Sequence, residues 1–289
     1  MAEENKMYFS YSANKSYRQT GLALIELLVG LVVALLALAF ILNIYLSNLR
    51  STSETASASR LDSDLRSVMT YMVEETRRAG YWYNSVDESG GTTEIADPKC
   101  NPFTVYSNDL DFTDCDPAIA TYGTNLAVSK KTGEKDDSCI TFTYDRGRSG
   151  DPDNPDGTLQ TSSEYYGIRR VENGDDIGIV EISKNSPNCN SGTWTELTNP
   201  EVVDITELTF DLSDTVCTDV NTSSATNTKS GGNCIQDYLD VSPALSEHRI
   251  VQNKVVSITL EGELKGDDEV SKILEQTVNV RNRTVAKIP

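Results

Sequence analysis

The sequence predicts an α+β chain. One long N-terminal helix, transmembrane in its first half and amphipathic in its second, packs on an antiparallel β-sheet head with long disulfide-closed loops. Three observations carry this expectation. Residues 22–49 hold a single charged side chain, Glu26, whereas residues 81–289 hold 17 basic and 36 acidic groups. Apolar residues recur first at a helical period and later at a period of two. All six cysteines lie in the acidic body, from Cys100 onward.

The N-terminal stretch comes first. Residues 1–21 are polar, with Lys15 and Arg18 close to Gly21. From Leu27 to Leu42 there is no charged side chain, and residues 22–42 match the ~20 residues that cross a bilayer as a helix. Positive charge ahead of such a span predicts a cytoplasmic N-terminus and an exported C-terminal body. A cleaved secretory signal would show an apolar core of ~7–15 residues followed by a small-residue site. Here the run is longer and leads into Asn43-Ile-Tyr-Leu-Ser-Asn instead. A plain anchor fits the length but leaves Glu26 unexplained. A carboxylate in hydrocarbon is costly unless it is paired, and therefore marks function.

The helical pattern resumes with Leu61, Leu65, Val68, Met72 and Thr76 on one face, while Asp62, Asp64, Arg66, Glu74 and Arg78 take the others. Residues 51–59 are small and polar, and read as a weak helical segment or a flexible joint. Gly80 supplies the stop. Strands follow: Ile140, Phe142 and Tyr144 alternate with polar neighbours, as do Val256, Ile258 and Leu260, then Val278 and Val280. The turn-rich Lys265-Gly-Asp-Asp-Glu269 between the last two runs suits an antiparallel hairpin. Residues 178–183 and 203–212 are further strand candidates. Residues 213–247, rich in Thr, Ser, Asn and Gly, read as a long surface loop.

Composition narrows the chemistry. With 25 Lys plus Arg against 44 Asp plus Glu the formal charge is −19, which argues against a direct nucleic-acid partner. One histidine, His248, removes every zinc motif that needs two; it reads as a surface residue between a loop and a strand. No nucleophile elbow or P-loop accompanies it, so the chain reads as a non-enzyme. Asp151, Asp153 and Asp156 form a Pro-rich acidic loop that is a weak calcium candidate. Its Pro155 and Gly157 stand out of register for an EF-hand, and a solvated turn is the plainer reading. Asp109, Asp111, Asp114 and Asp116 are a still weaker cluster. No other cofactor is expected. Cys100, Cys115, Cys139, Cys189, Cys217 and Cys234 contain no Cys-x-x-Cys pair, and an even number in an exported body fits disulfides. Loop closure favours Cys100–Cys115 and Cys217–Cys234, which leaves Cys139 with Cys189.

Gly21-Leu22-Ala23-Leu24-Ile25-Glu26 resembles the class III signal of type IV pilins and type II secretion pseudopilins. The resemblance implies that a prepilin peptidase cuts after Gly21 and methylates the new N-terminal Leu22. It also implies that Glu26 pairs with the free amine of a neighbouring subunit during assembly. Burying that amine and that carboxylate together costs less than burying either alone. Two departures stand out: Leu22 replaces the family's commoner Phe or Met, and Asn43 sits where major pilins often carry a helix-bending proline. The leader is long, and Met7 is an alternative start to Met1.

Arg77-Arg78-Ala79-Gly80-Tyr81 at the helix end, and Thr277-Val-Asn-Val-Arg-Asn-Arg283 near the C-terminus, are similar to the PilW family of minor pilins. That resemblance implies a leader (1–21), a transmembrane and polymerisation helix (22–50), an amphipathic continuation (51–80) and a β-rich head (81–289). It implies a minor pilin that primes type IV pilus growth at the tip, first in the inner membrane with its head in the periplasm and then in the extracellular fibre. Expected partners are other minor pilins and the major pilin, the prepilin peptidase, the inner-membrane assembly machinery and a tip adhesin. The alternatives are a minor pseudopilin of type II secretion and a monomeric membrane-anchored periplasmic binding protein.

Overall fold

Leucine and alanine favour a helix, and α1 runs from Leu24 to Arg78. The computed structural model describes residues 24–83, 86–87, 94–95, 100–104, 126–146, 157–221, 228–240 and 248–288. Two compact units divide the chain, residues 1–53 and 54–289. In the first, every described side chain is exposed, including Leu24, Ile25, Phe40, Ile41 and Tyr45. Asn43 does not interrupt the helix: its side-chain amide donates to the Ala39 carbonyl at 2.9 Å. Residues 51–59, expected as a weak segment or joint, are helical throughout. Thr52 satisfies its hydroxyl by donating to the Asn48 carbonyl at 2.8 Å, so a polar composition does not stop the helix there.

The second unit holds the strands. They are β1 (Val86–Asp87), β2 (Glu94–Ile95), β3 (Ala127–Ser129), β4 (Cys139–Thr143), β5 (Tyr165–Glu172), β6 (Gly178–Ser183) and β7 (Trp194–Glu196). Then come β8 (Val203–Asp211), β9 (Val216–Asp219), β10 (Thr228–Ser230), the short helix α2 (Cys234–Leu239), β11 (Arg249–Asn253), β12 (Val255–Leu264), β13 (Asp267–Asn279) and β14 (Thr284–Lys287). These described strands pair antiparallel: β1-β2, β3-β4-β5-β6-β7, β13-β12-β8 and β10-β9-β11-β14. The expected hairpin is β12–β13, turning at Lys265 and Gly266, where φ is +81°.

Leu61, Leu65, Val68, Met72 and Thr76 are buried as the helical period requires, joined by Met69. They pack against Ile140, Phe142, Ile168 and Val180 of the five-stranded sheet and Leu208, Phe210, Val256, Ile258 and Leu260 of the three-stranded sheet. One helix face therefore serves two sheets. β4 is buried on both faces, where alternation predicts one polar face: Ile140 and Phe142 face this core, and the segment around Phe103 covers the opposite face at Thr143. Thr143 meets the burial by donating its hydroxyl to the Phe103 carbonyl at 3.0 Å.

The described residues of 213–247 are not a plain surface loop. They contribute β9, β10 and α2, and Cys217, Cys234, Ile235 and Tyr238 form a second core with Ile250, Ala286 and Ile288. The Cys217–Cys234 bond ties β9 to the start of α2, letting two large side chains organise a segment otherwise poor in apolar residues.

Candidate functional site

Two places in the molecule gather the residues that the sequence marks. The first is the N-terminal part of α1. Glu26 lies in the first turn and is exposed, in a position where the helix dipole favours a carboxylate. Around it Leu24, Leu27, Leu28, Val29, Leu31 and Leu35 each expose more than half of their surface. Transferring that much apolar area from water to hydrocarbon or to other helices is strongly favourable. The helix is long and apolar enough to cross a membrane. Gly21 and Leu22 lie outside the described residues.

The second place is the C-terminal end of α1, where both distal motifs meet. Gly80 takes φ +74°, and its N–H donates to the Thr143 carbonyl at 2.8 Å. The side-chain amide of Asn282 donates to the carbonyls of Arg78 and Ala79 at 3.3 and 3.1 Å, and the Arg281 N–H donates to Arg77 at 3.2 Å. Asn101 donates to the Gly80 carbonyl at 2.9 Å and accepts from the Phe103 N–H at 2.9 Å. Carbonyls that a helix end leaves without partners are thus satisfied by a residue 203 and 204 positions away in sequence. A Cβ on Gly80 would come 2.6 Å from Thr104 Cγ2. The Arg-x-Ala-Gly-Tyr and Arg-Asn motifs are therefore two halves of one lock. Asn101 and Thr104, which complete it, carry no periodic or motif signal in the sequence.

Beside the lock, Tyr144 donates to Glu75 Oε2 at 2.5 Å and stacks on Tyr166 with ring centroids 3.9 Å apart. Burial, reinforced by Tyr166 and Glu75, pushes the Tyr144 phenol far above its usual range. Lys254 is buried between β11 and β12, where its Nζ donates to Thr284 Oγ1 at 2.6 Å, and desolvation lowers its pKa from 10.5 to about 7. Two arginines are buried in β5, and Arg170 joins its sheet to β8. Arg169 pairs with Glu181 at 2.7 Å and lies 3.9 Å over the Trp194 ring, while Arg170 donates to the Ile205 carbonyl and to Glu134.

His248 directly precedes β11, but it is not a simple surface residue. It is half-buried, with Nδ1 2.7 Å from Oδ2 of the buried Asp219, and its carbonyl accepts from the Ile288 N–H. Asp219 precedes it by 29 positions, a spacing with no local signal. Cys139 is bonded to Cys189 and Cys217 to Cys234, two of the three expected pairs. Cys100 is also disulfide-bonded, and its expected partner Cys115 lies outside the described residues. Asp151, Asp153, Asp156 and the cluster at residues 109–116 lie there too. Among the described residues no group of three or more His, Cys, Asp or Glu side chains is arranged to hold a metal.

A long apolar N-terminal helix followed by antiparallel sheets and disulfides is the architecture of a pilin-like protein. More particularly, the chain belongs to the prepilin peptidase-dependent protein B family, whose model matches residues 54–280. The matched span starts after Glu26, so it stands apart from the residues that carry the signal-sequence resemblance. The family is pilus-related and structural in kind, and places the chain among minor pilins and pseudopilins; the narrower PilW assignment is not part of that match. No curated protein and no solved structure matches the chain.

Proposed function

We propose that the chain is a minor pilin of the PilW type that primes type IV pilus growth with other minor pilins and ends at the fibre tip. The observation that supports this best is the exposed apolar start of α1, with one carboxylate in its first turn, on a chain of the prepilin peptidase-dependent family. Cleavage after Gly21 creates a positive amine on Leu22 at the apolar end of the helix. Glu26 of an adjoining subunit neutralises it, and assembly relieves a penalty that each separate subunit bears. The acidic head stays on the exported side and presents its surface to other minor pilins or to an adhesin.

Glu26→Ala and Glu26→Gln test the mechanism in the native membrane. Removing one partner of a buried charge pair costs ~3–5 kcal/mol, so co-isolation of pilins with either variant falls by roughly ten-fold or more while the head stays folded. Unchanged co-isolation would favour a monomeric membrane-anchored binder. Deleting the gene separates the remaining readings: surface pili are lost if the chain serves the pilus, and secreted enzymes are lost if it serves type II secretion.

A further inference from the structure

Sheet edges are where a head of this kind can add a foreign strand, and its edges differ sharply. β3, β7 and β10 have three residues each and β14 has four, too short to template much pairing. β8 is long but engaged: its Ile205 carbonyl accepts from Arg170, its Thr206 carbonyl from Lys135, and its Phe210 N–H donates to Asp137. β13 is the exception. It has 13 residues, borders only β12 among the described strands, and pairs with it in unbroken register from Ser271 to Asn279. Among the described residues nothing is hydrogen-bonded to its outer edge.

The usual safeguards of an edge are weak here. β13 contains no proline, and its register shift is confined to the hairpin end near Leu264. Its one lysine, Lys272, is turned to the helix side, where Nζ lies 3.6 Å from Asp62 of α1. Ile273 on the opposite face is 54 % exposed. Around it, the outer face of the sheet carries Glu207, Asp211, Glu261, Glu263 and Glu275, and no lysine or arginine. Like charges crowd there enough that burial, together with Asp204, Asp268 and Glu261, raises the Glu263 carboxyl above its ordinary value.

We infer that the free edge of β13 is a docking site for an extended, lysine- or arginine-bearing strand of a partner protein, which would become a fourth strand beside β13. Backbone hydrogen bonds along residues 271–279 supply the pairing, and basic side chains on alternate positions meet the acidic face. A second copy of this chain is a poor occupant: β13 on β13 would bring Glu275 and the other carboxylates of one acidic face beside those of another.

The test uses the full chain in detergent and a short peptide alternating lysine and valine. Controls are an alternating glutamate–valine peptide, a block peptide of the same lysine–valine composition, and a lysine–valine peptide methylated at every backbone nitrogen. The expected result is binding of the alternating basic peptide, with amide-exchange protection within residues 271–279. Each control binds roughly ten-fold more weakly or worse, and the Glu261→Gln/Glu275→Gln variant weakens binding by a similar factor while keeping its own exchange pattern. Absence of binding overturns the inference. So does equal binding of the methylated or block peptide, which would be charge attraction alone, or protection confined to another strand. Concentration-dependent protection of β13 without peptide would assign the edge to a second copy and overturn it as well.

Discussion

Gly80→Ala is the sharpest probe of the lock at the end of α1. The substitution forces an L side chain into φ +74° and sets a Cβ 2.6 Å from Thr104 Cγ2 and 3.5 Å from Asn282 Cβ. A left-handed conformation costs ~1–2 kcal/mol, and a methyl pressed into a packed site costs ~1–3 kcal/mol. Thr104 is buried, and its N–H is bound to the Asn101 carbonyl, so it has little room to retreat. A total of about 3 kcal/mol lowers Tm by about 6–12 °C for a unit of this size. Gly133→Ala is the matched control: φ is +96° there, but nothing lies within 4 Å of the added Cβ, so only the conformational part is paid. Thr104→Ser removes the obstructing methyl and keeps the hydroxyl. In a double-mutant cycle read by thermal unfolding, Thr104→Ser recovers ~1–2 kcal/mol of the Gly80→Ala loss. Equal losses at Gly80 and Gly133, or no coupling to Thr104, would refute the close packing on which this reasoning rests.

Further predictions concern the cross-links and the buried lysine. Replacing both Cys139 and Cys189 by serine opens a loop with a separation of 50 and lowers stability by about 4 kcal/mol; the same change at Cys217 and Cys234, separated by 17, costs about 3 kcal/mol, both read by urea titration. The second change should also loosen exchange protection of α2 and β9 before that of β12. Lys254 has a folded pKa of about 7 against 10.5, so between those values the unfolded chain holds the extra proton and stability rises with pH. Its part of the slope approaches about 1.4 kcal/mol per pH unit, and Lys254→Met removes it. A wild-type and a Lys254→Met chain with parallel stability profiles between pH 7 and 9 would show that burial does not set this titration.

Much of the fold was legible because its causes are local. The stripe from Leu61 to Thr76 announces a buried helix face through its spacing, and Gly80 marks the stop through its freedom at positive φ. Alternation in β12 and a Gly-Asp turn announce the hairpin with β13. What escaped reading depends on distant partners. β4 is buried on both faces because the segment around Phe103 covers it, which no pattern inside β4 can report. Residues 213–247 look like a loop in composition, yet one disulfide, Ile235 and Tyr238 suffice to build a second core. The same holds at the candidate sites. Glu26 stands out by itself, as the one charge in an apolar run. Asn101, Asn282 and Asp219 are meaningful only once the chain has brought them to the carbonyls and the imidazole they serve.

The central claim is that this chain enters a pilus-type assembly after its leader is removed. Intact-mass and N-terminal peptide mass spectrometry on the protein from its native membrane tests that most directly. The account predicts a chain that begins at N-methylated Leu22 and has lost residues 1–21. An intact leader in cells with active prepilin peptidase would contradict it and leave α1 as a plain membrane anchor.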